Sequence, residues 1–175
     1  MGADKAFLEV DGVALAQRVA NALTAGGVES VSRIDAAQDR WPGEGPLGGL
    51  TTAVLAAEQG GAAIVVVAGC DHPDLDPSLV NELVEALADA ASDVIASVPV
   101  TPDGRRQPFP SAWRTTAGPQ LEALFGTGER RAGAAFGVGV VLDVAAAWEQ
   151  LADLDTPEEL EARRTGASAE GEPSP

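Results

Sequence analysis

Ile64, Val65, Val66 and Val67 form an unbroken β-branched run inside a 175-residue chain. Such a run fits a strand buried on both faces, as in a parallel sheet beneath helices. It ends in Gly69, Cys70 and Asp71. Asp76 then offers a helix N-cap and Pro77 the first helical position. Leu79, Leu83 and Leu87 follow at a spacing of four, the stripe of a helix with one apolar face. A strand of this kind followed by an amphipathic helix predicts an α/β layered fold.

The flanking sequence repeats the alternation. Residues 5–10 read as a strand, and Asp11 with Gly12 as a turn. A helix is predicted over residues 13–27, with Leu15, Val19 and Leu23 on one stripe and Gly26 and Gly27 as its stop. Residues 28–34 read as a strand, and 35–49 as a loop dense in Gly and Pro. "LTTAVLAAEQGG" reads as a second helix. Beyond residue 90, "DVIASVPV" is a strand, and "TPDGRRQPFPSAWR" a turn leading into an extended piece with Phe109 and Trp113. "GPQLEALFGTG" is a short helix, residues 138–142 a strand and 144–151 a helix. "TPEELEARR" carries a capping box, with Thr156 at the cap and Glu159 three positions on. No periodicity marks residues 165–175, which are expected to be a disordered tail. Strands alternating with helices imply a mostly parallel sheet in one domain.

Composition narrows the function. Hydrophobic residues make up 45% of the chain and aromatic ones only 4%. That suits helices packed on a sheet. No apolar run approaches the ~20 residues of a membrane span, and no basic start leads into an apolar signal core, so a cytoplasmic location is expected. Cys70 is the only cysteine, which rules out an internal disulfide or a cysteine cluster for zinc. The formal net charge of −16 argues against binding nucleic acid or anionic membranes through a basic patch. An anionic small ligand would need local donors or a divalent cation.

In open α/β sheets, ligands bind beyond the carboxyl ends of the strands. Asp71 stands there, and a carboxylate at that edge is suited to magnesium, which takes one or two protein carboxylates plus phosphates and waters. His72, the only histidine, reads as a loop residue beside it, and Cys70 as packing. "GEGPLGG" puts four glycines in seven residues just ahead of a helix, where backbone can approach a ligand and a helix N-terminus favours anions. No Gly-Lys-Ser/Thr motif occurs. Asp153 and Asp155 precede the capped helix and would form a split acidic site with Asp71, or serve only as acidic residues at a helix start.

In order along the chain, "MGADKAFLEVDG", "DRWPGEGPLGGLTTAV", "VVVAGCDHPDL", "QPFPSAWR" and "DLDTPEELEA" resemble the molybdenum cofactor guanylyltransferases and related nucleotidyltransferases. The resemblance runs to residue 162. It implies a three-layer, Rossmann-like nucleotidyltransferase domain over residues 1–164, with 165–175 as an acidic tail. The family opens on a strand and leucine-alanine-glycine-glycine-x-serine-x-arginine before Met-Gly-x-Asp-Lys. Only the last five residues match here, so the resemblance implies a sheet without its first, central strand. Neighbouring strands would then pair directly or leave open edges.

Carried over residue by residue, the resemblance gives Lys5 a place on the nucleotide phosphates and in catalysis. It gives Asp39, Gly45 and Gly48 a place at the nucleotide, and Gln107 and Pro108 one on the acceptor side. Asp71 becomes the catalytic magnesium ligand. Asp155, where the family carries Asn, becomes a second metal contact. The implied reaction is magnesium-dependent transfer of GMP from GTP to a phosphorylated pterin cofactor, with release of pyrophosphate. Positioning and charge neutralisation dominate such chemistry. Alternatives are a CTP-using relative, one with another phosphorylated acceptor, or a non-catalytic paralogue acting as a binding or assembly partner.

Overall fold

A computed structural model of the chain describes residues 5–10 and 12–151. A 3₁₀ turn, Lys5–Phe7, leads into β1 (Glu9–Val10), which pairs antiparallel with β2 (Val13–Ala14). Gly12 lies between them at φ 74°, a conformation that costs glycine little. The strand expected over residues 5–10 is thus confined to two residues, because among the described residues it pairs only with β2, itself two residues long. The first helix, α1 (Leu15–Ala25), buries the predicted stripe of Leu15, Val19 and Leu23. Gly26 ends it where α1 meets the next layer: a Cβ on Gly26 would strike Val80 and the Pro77 carbonyl.

Residues 28–34 form no strand. They carry β-branched residues, but a ladder needs a partner edge, and Val31 stays exposed. The second helix, α2 (Pro46–Gln59), starts four residues earlier than "LTTAV" suggested, so Gly48 and Gly49 are helical. After it come β3 (Ile64–Val67), α3 (Pro77–Asp89), β4 (Val94–Val100), β5 (Ser111–Arg114) and α4 (Gly118–Gly126). A 3₁₀ segment, Ala132–Gly137, precedes β6 (Val140–Ala145), and Trp148–Leu151 form a last 3₁₀ turn. The strand read at 138–142 therefore starts and ends later. Val144 and Ala145, expected in a helix, instead continue the ladder opposite Pro99 and Val100.

The sheet order is β3-β5-β4-β6. β5 runs antiparallel to both its neighbours, and β4 pairs parallel with β6. β3, β4 and β6 consequently point the same way, so three of four strands share the direction expected of a mostly parallel sheet. The odd strand is β5, reached through the turn that holds Gln107 and Pro108.

Helices cover both faces. Val65, Val67 and Trp113 pack with Leu47, Leu50 and Val54 of α2 and Leu121 and Phe125 of α4. Ile64, Val66 and Ala112 pack with Leu79, Leu83 and Leu87 of α3. The alternation along β3 is the period-2 geometry of a strand between two layers. Yet all four of its residues are only half-buried. Among the described residues β3 pairs with β5 alone.

Candidate active site at the carboxyl edge of the sheet

Chain direction places several segments at one edge. α2 runs into β3 and α3 runs out of it, so both helices have their N-termini at the carboxyl end of β3. Asp71 lies there too. β4 finishes at that edge and β5 starts from it, which brings the turn with Gln107 and Pro108 to the same side.

The Asp71 side chain is 41% exposed, and among the described residues no donor hydrogen-bonds to it. His72 lies beside it, with Nε2 3.9 Å from Oδ1. Magnesium prefers hard oxygen ligands and keeps much of its water shell. An accessible carboxylate without protein donors fits that ion. Asp155, expected beside it, lies outside the described residues, as do Asp153 and Thr156. Among the described residues, no cluster of three or more His, Cys, Asp or Glu side chains would hold a metal alone.

Arg18, which the sequence reading passed over, joins the N-terminal segment to the Asp71 loop. Its guanidinium donates to the Val10 and Pro73 carbonyls, both at 3.4 Å, and meets Asp74 at 3.3 Å. In this way the turn that starts at Lys5 is tied beside the carboxyl end of β3. Asp76 caps α3 by accepting from the Ser78 backbone N–H at 2.8 Å, with Ser78 Oγ also at 2.8 Å. Those bonds, the backbone one foremost, hold its carboxyl below the usual range.

The glycine-rich loop proves to be packed rather than open. Gly45, at φ 99°, is the N-cap of α2. A Cβ there would lie 3.1 Å from the Arg130 carbonyl. That carbonyl accepts from Leu47 N at 3.0 Å, Gly48 N donates to Gly45, and Pro46 has no N–H. The N–H groups expected to greet an anion in the first turn of α2 are therefore already engaged. Gly48 serves packing: a Cβ would press within 3.3 Å of the Phe125 ring. Trp41 and Phe125 stack at 4.4 Å, and the Arg130 guanidinium lies 4.0 Å over Phe125 while donating to Glu44 at 3.0 Å. Glu129, gripped by the Arg131 side chain and by two backbone N–H groups, has its carboxyl pulled down to about 2. No local pattern in the sequence marks Arg130 for this work, because its partners lie as far as 86 residues away.

Asp39 accepts from Thr52 Oγ1 at 2.9 Å and from Trp41 N at 3.0 Å, which pins the loop to α2. Gln107 N donates to Pro99 O at 2.8 Å, in line with the bridge between Val100 and Arg106. The Pro108 carbonyl accepts from Ser111 Oγ at 2.8 Å, and Ser111 Oγ accepts from the buried Trp113 indole at 2.8 Å. The acceptor-side pair is thus anchored to the core. Among the described residues, no hydrogen bond or ion pair joins Asp71 directly to Gln107, Gly45 or Asp39. A 560 Å³ cavity lies further along the same edge, lined by Val100, Thr101, Asp143 and Ala146 among others.

A three-layer α/β domain with an accessible carboxylate past its strongest strand, and a glycine-bearing helix start at the same edge, is compatible with a nucleotidyltransferase. The sequence profile of the MobA-like NTP transferase domain matches residues 1–140, and the chain belongs to that family. It is 32% identical over 173 residues to the molybdenum cofactor guanylyltransferase of Rhodobacter capsulatus, covering 91% of this chain and 86% of that one. Among solved structures, the molybdopterin-guanine dinucleotide biosynthesis protein A of Archaeoglobus fulgidus superposes with a TM-score of 0.72 at 18% identity. That superposition covers 95% of this chain and 92% of the other. The 2-C-methyl-D-erythritol 4-phosphate cytidylyltransferase of Thermus thermophilus shares the fold, with a TM-score of 0.64, 19% identity and 93% of each chain covered.

Proposed function

We propose that this nucleotidyltransferase moves GMP from GTP onto a phosphorylated pterin cofactor of molybdopterin type, with magnesium as cofactor and pyrophosphate as product. The likeness to the R. capsulatus guanylyltransferase over nine-tenths of the chain carries this reading. An oxygen of the acceptor phosphate attacks the α-phosphorus of GTP, and the bond from that phosphorus to the oxygen of the departing pyrophosphate breaks.

Asp71 would hold the magnesium ion, with Asp155 as its second contact. Bound there, the ion would neutralise charge on the phosphates of a triphosphate that the protein's own −16 repels. Lys5 would offset charge on the same phosphates. Asp39, Gly45 and Gly48 would shape the nucleotide side. For Gly45 the support is its exposed backbone at that edge, whereas Gly48 is buried against Trp41 and Phe125 and would act through packing. Gln107 and Pro108 would face the acceptor, with the Trp113 and Ser111 relay holding their turn.

Purified protein incubated with GTP, molybdopterin and Mg²⁺ should release pyrophosphate and form the guanine dinucleotide. Turnover with CTP but not GTP would overturn the donor assignment. Release of pyrophosphate only with another phosphorylated acceptor would overturn the pterin.

A further inference from the structure

We propose that Gly69 and His72 are positioning residues that hold the Asp71 carboxylate in the orientation from which it grips a divalent cation. The inference rests on the reading of Asp71 as the metal-holding carboxylate.

Gly69 is not needed for a left-handed turn; its role is one of space. A Cβ built on it would run into Asp71 Oδ1, 3.3 Å from Asp71 Cγ and 3.5 Å from His72 Cδ2. The carboxylate is thus folded back over the Cα of Gly69, where only hydrogen leaves room. Any side chain at position 69 would swing it away.

His72 lies against the same carboxylate oxygen. Its side chain is 12% exposed, although the residue follows an exposed aspartate in a loop. Nδ1 is sealed from solvent and has no hydrogen-bond partner among the described residues. One nitrogen of a neutral imidazole carries hydrogen and the other a lone pair. A sealed N–H without an acceptor would be an orphaned donor, which is costly. The hydrogen is therefore assigned to Nε2, the atom 3.9 Å from Asp71 Oδ1. At that distance the N–H does not form a direct hydrogen bond, but its positive end lies beside the carboxylate and biases its rotation. Groups that orient a ligating carboxylate typically change metal affinity by about 10- to 100-fold. A histidine kept only for packing would gain nothing from a sealed, unpaired nitrogen. Leucine would fill that space without it.

The test uses Mn²⁺ alone, followed by the paramagnetic signal of the free ion, with thermal unfolding of each variant in parallel. Asp71→Asn defines the binding that depends on Asp71. His72→Leu and Gly69→Ala should each weaken that component about 10-fold or more, while His72→Leu melts no lower than wild type. His72→Gln, whose amide nitrogen approximates Nε2, should recover most of the loss. Gly69→Ala keeps the test decisive if His72→Leu folds poorly. Wild-type Mn²⁺ binding in His72→Leu and Gly69→Ala, with loss in Asp71→Asn, would overturn the positioning role and leave the Asp71 assignment standing. Wild-type binding in Asp71→Asn would overturn both.

Discussion

Asp71 accepts no hydrogen bond from the described residues, so removing its charge takes nothing from the core. Asp71→Asn should change stability by less than about 0.5 kcal/mol in urea unfolding. The same substitution should lower Mg²⁺-dependent transfer by about 100-fold or more, read as pyrophosphate release. Trp113 reverses the pattern. It is fully buried between α2 and α4 and donates to Ser111. Trp113→Ala should cost about 3–5 kcal/mol in urea unfolding, from lost burial and the cavity left behind. The two residues also differ in how they could be read. The position of Asp71 was legible because it lies four residues past the end of an unmistakable strand. Its contact with Gly69 was not, because the fold of a four-residue turn decides which way a carboxylate points. Arg18 and Arg114 look like isolated charges in sequence, and Arg130 like one member of a charged Glu-Arg-Arg run. Each binds backbone carbonyls or acids remote along the chain, so no spacing rule finds them.

Helix α3 shows what an element needs at its two ends. At its start, Asp76 and Pro77 give a local signal, and the cap forms as expected. At its end, "LADAASD" holds no glycine, and the helix stops at Ala90 in extended backbone. The missing stop comes from β5. The Arg114 guanidinium donates to Leu87 O at 2.7 Å, Ala90 O at 3.1 Å and Val94 O at 2.9 Å. A cation there also complements the negative end of the helix. Arg114→Met keeps the bulk and removes the donors, and should cost about 2 kcal/mol in urea unfolding. Asp76→Ala should cost about 1 kcal/mol at neutral pH. Because the folded state depresses the Asp76 pKa, the ionised cap stabilises fully above the ordinary carboxylate range. That contribution fades as pH falls through the lower folded value. The gap between wild type and Asp76→Ala should therefore narrow in unfolding measured below about pH 4. Helices were legible for the reason α3 illustrates: their stripes are local. Strand limits were not. Residues 28–34 are richer in β-branched residues than Ser111–Arg114 is in β-branched or aromatic ones, yet only the second meets a strand edge.

Across the whole molecule, the layers follow from β3 and α3, while the strand order does not. Nothing local says that β5 turns back between β3 and β4, because that choice depends on Trp113 reaching one face and Arg114 the other. Among the described residues the edge of β3 away from β5 has no strand partner, and this carries a further consequence for many copies in one solution. A β-branched strand with unpaired backbone groups is a template onto which a second copy can add. Two copies, each carrying −16, repel one another before those edges meet. That guard is only as long as the screening length, about 10 Å at ~0.1 M salt and about 3 Å at ~1 M. Light scattering should show self-association rising with salt, and rising again as acid neutralises the carboxylates. Surface charge and edge chemistry are thereby read as one colloidal property.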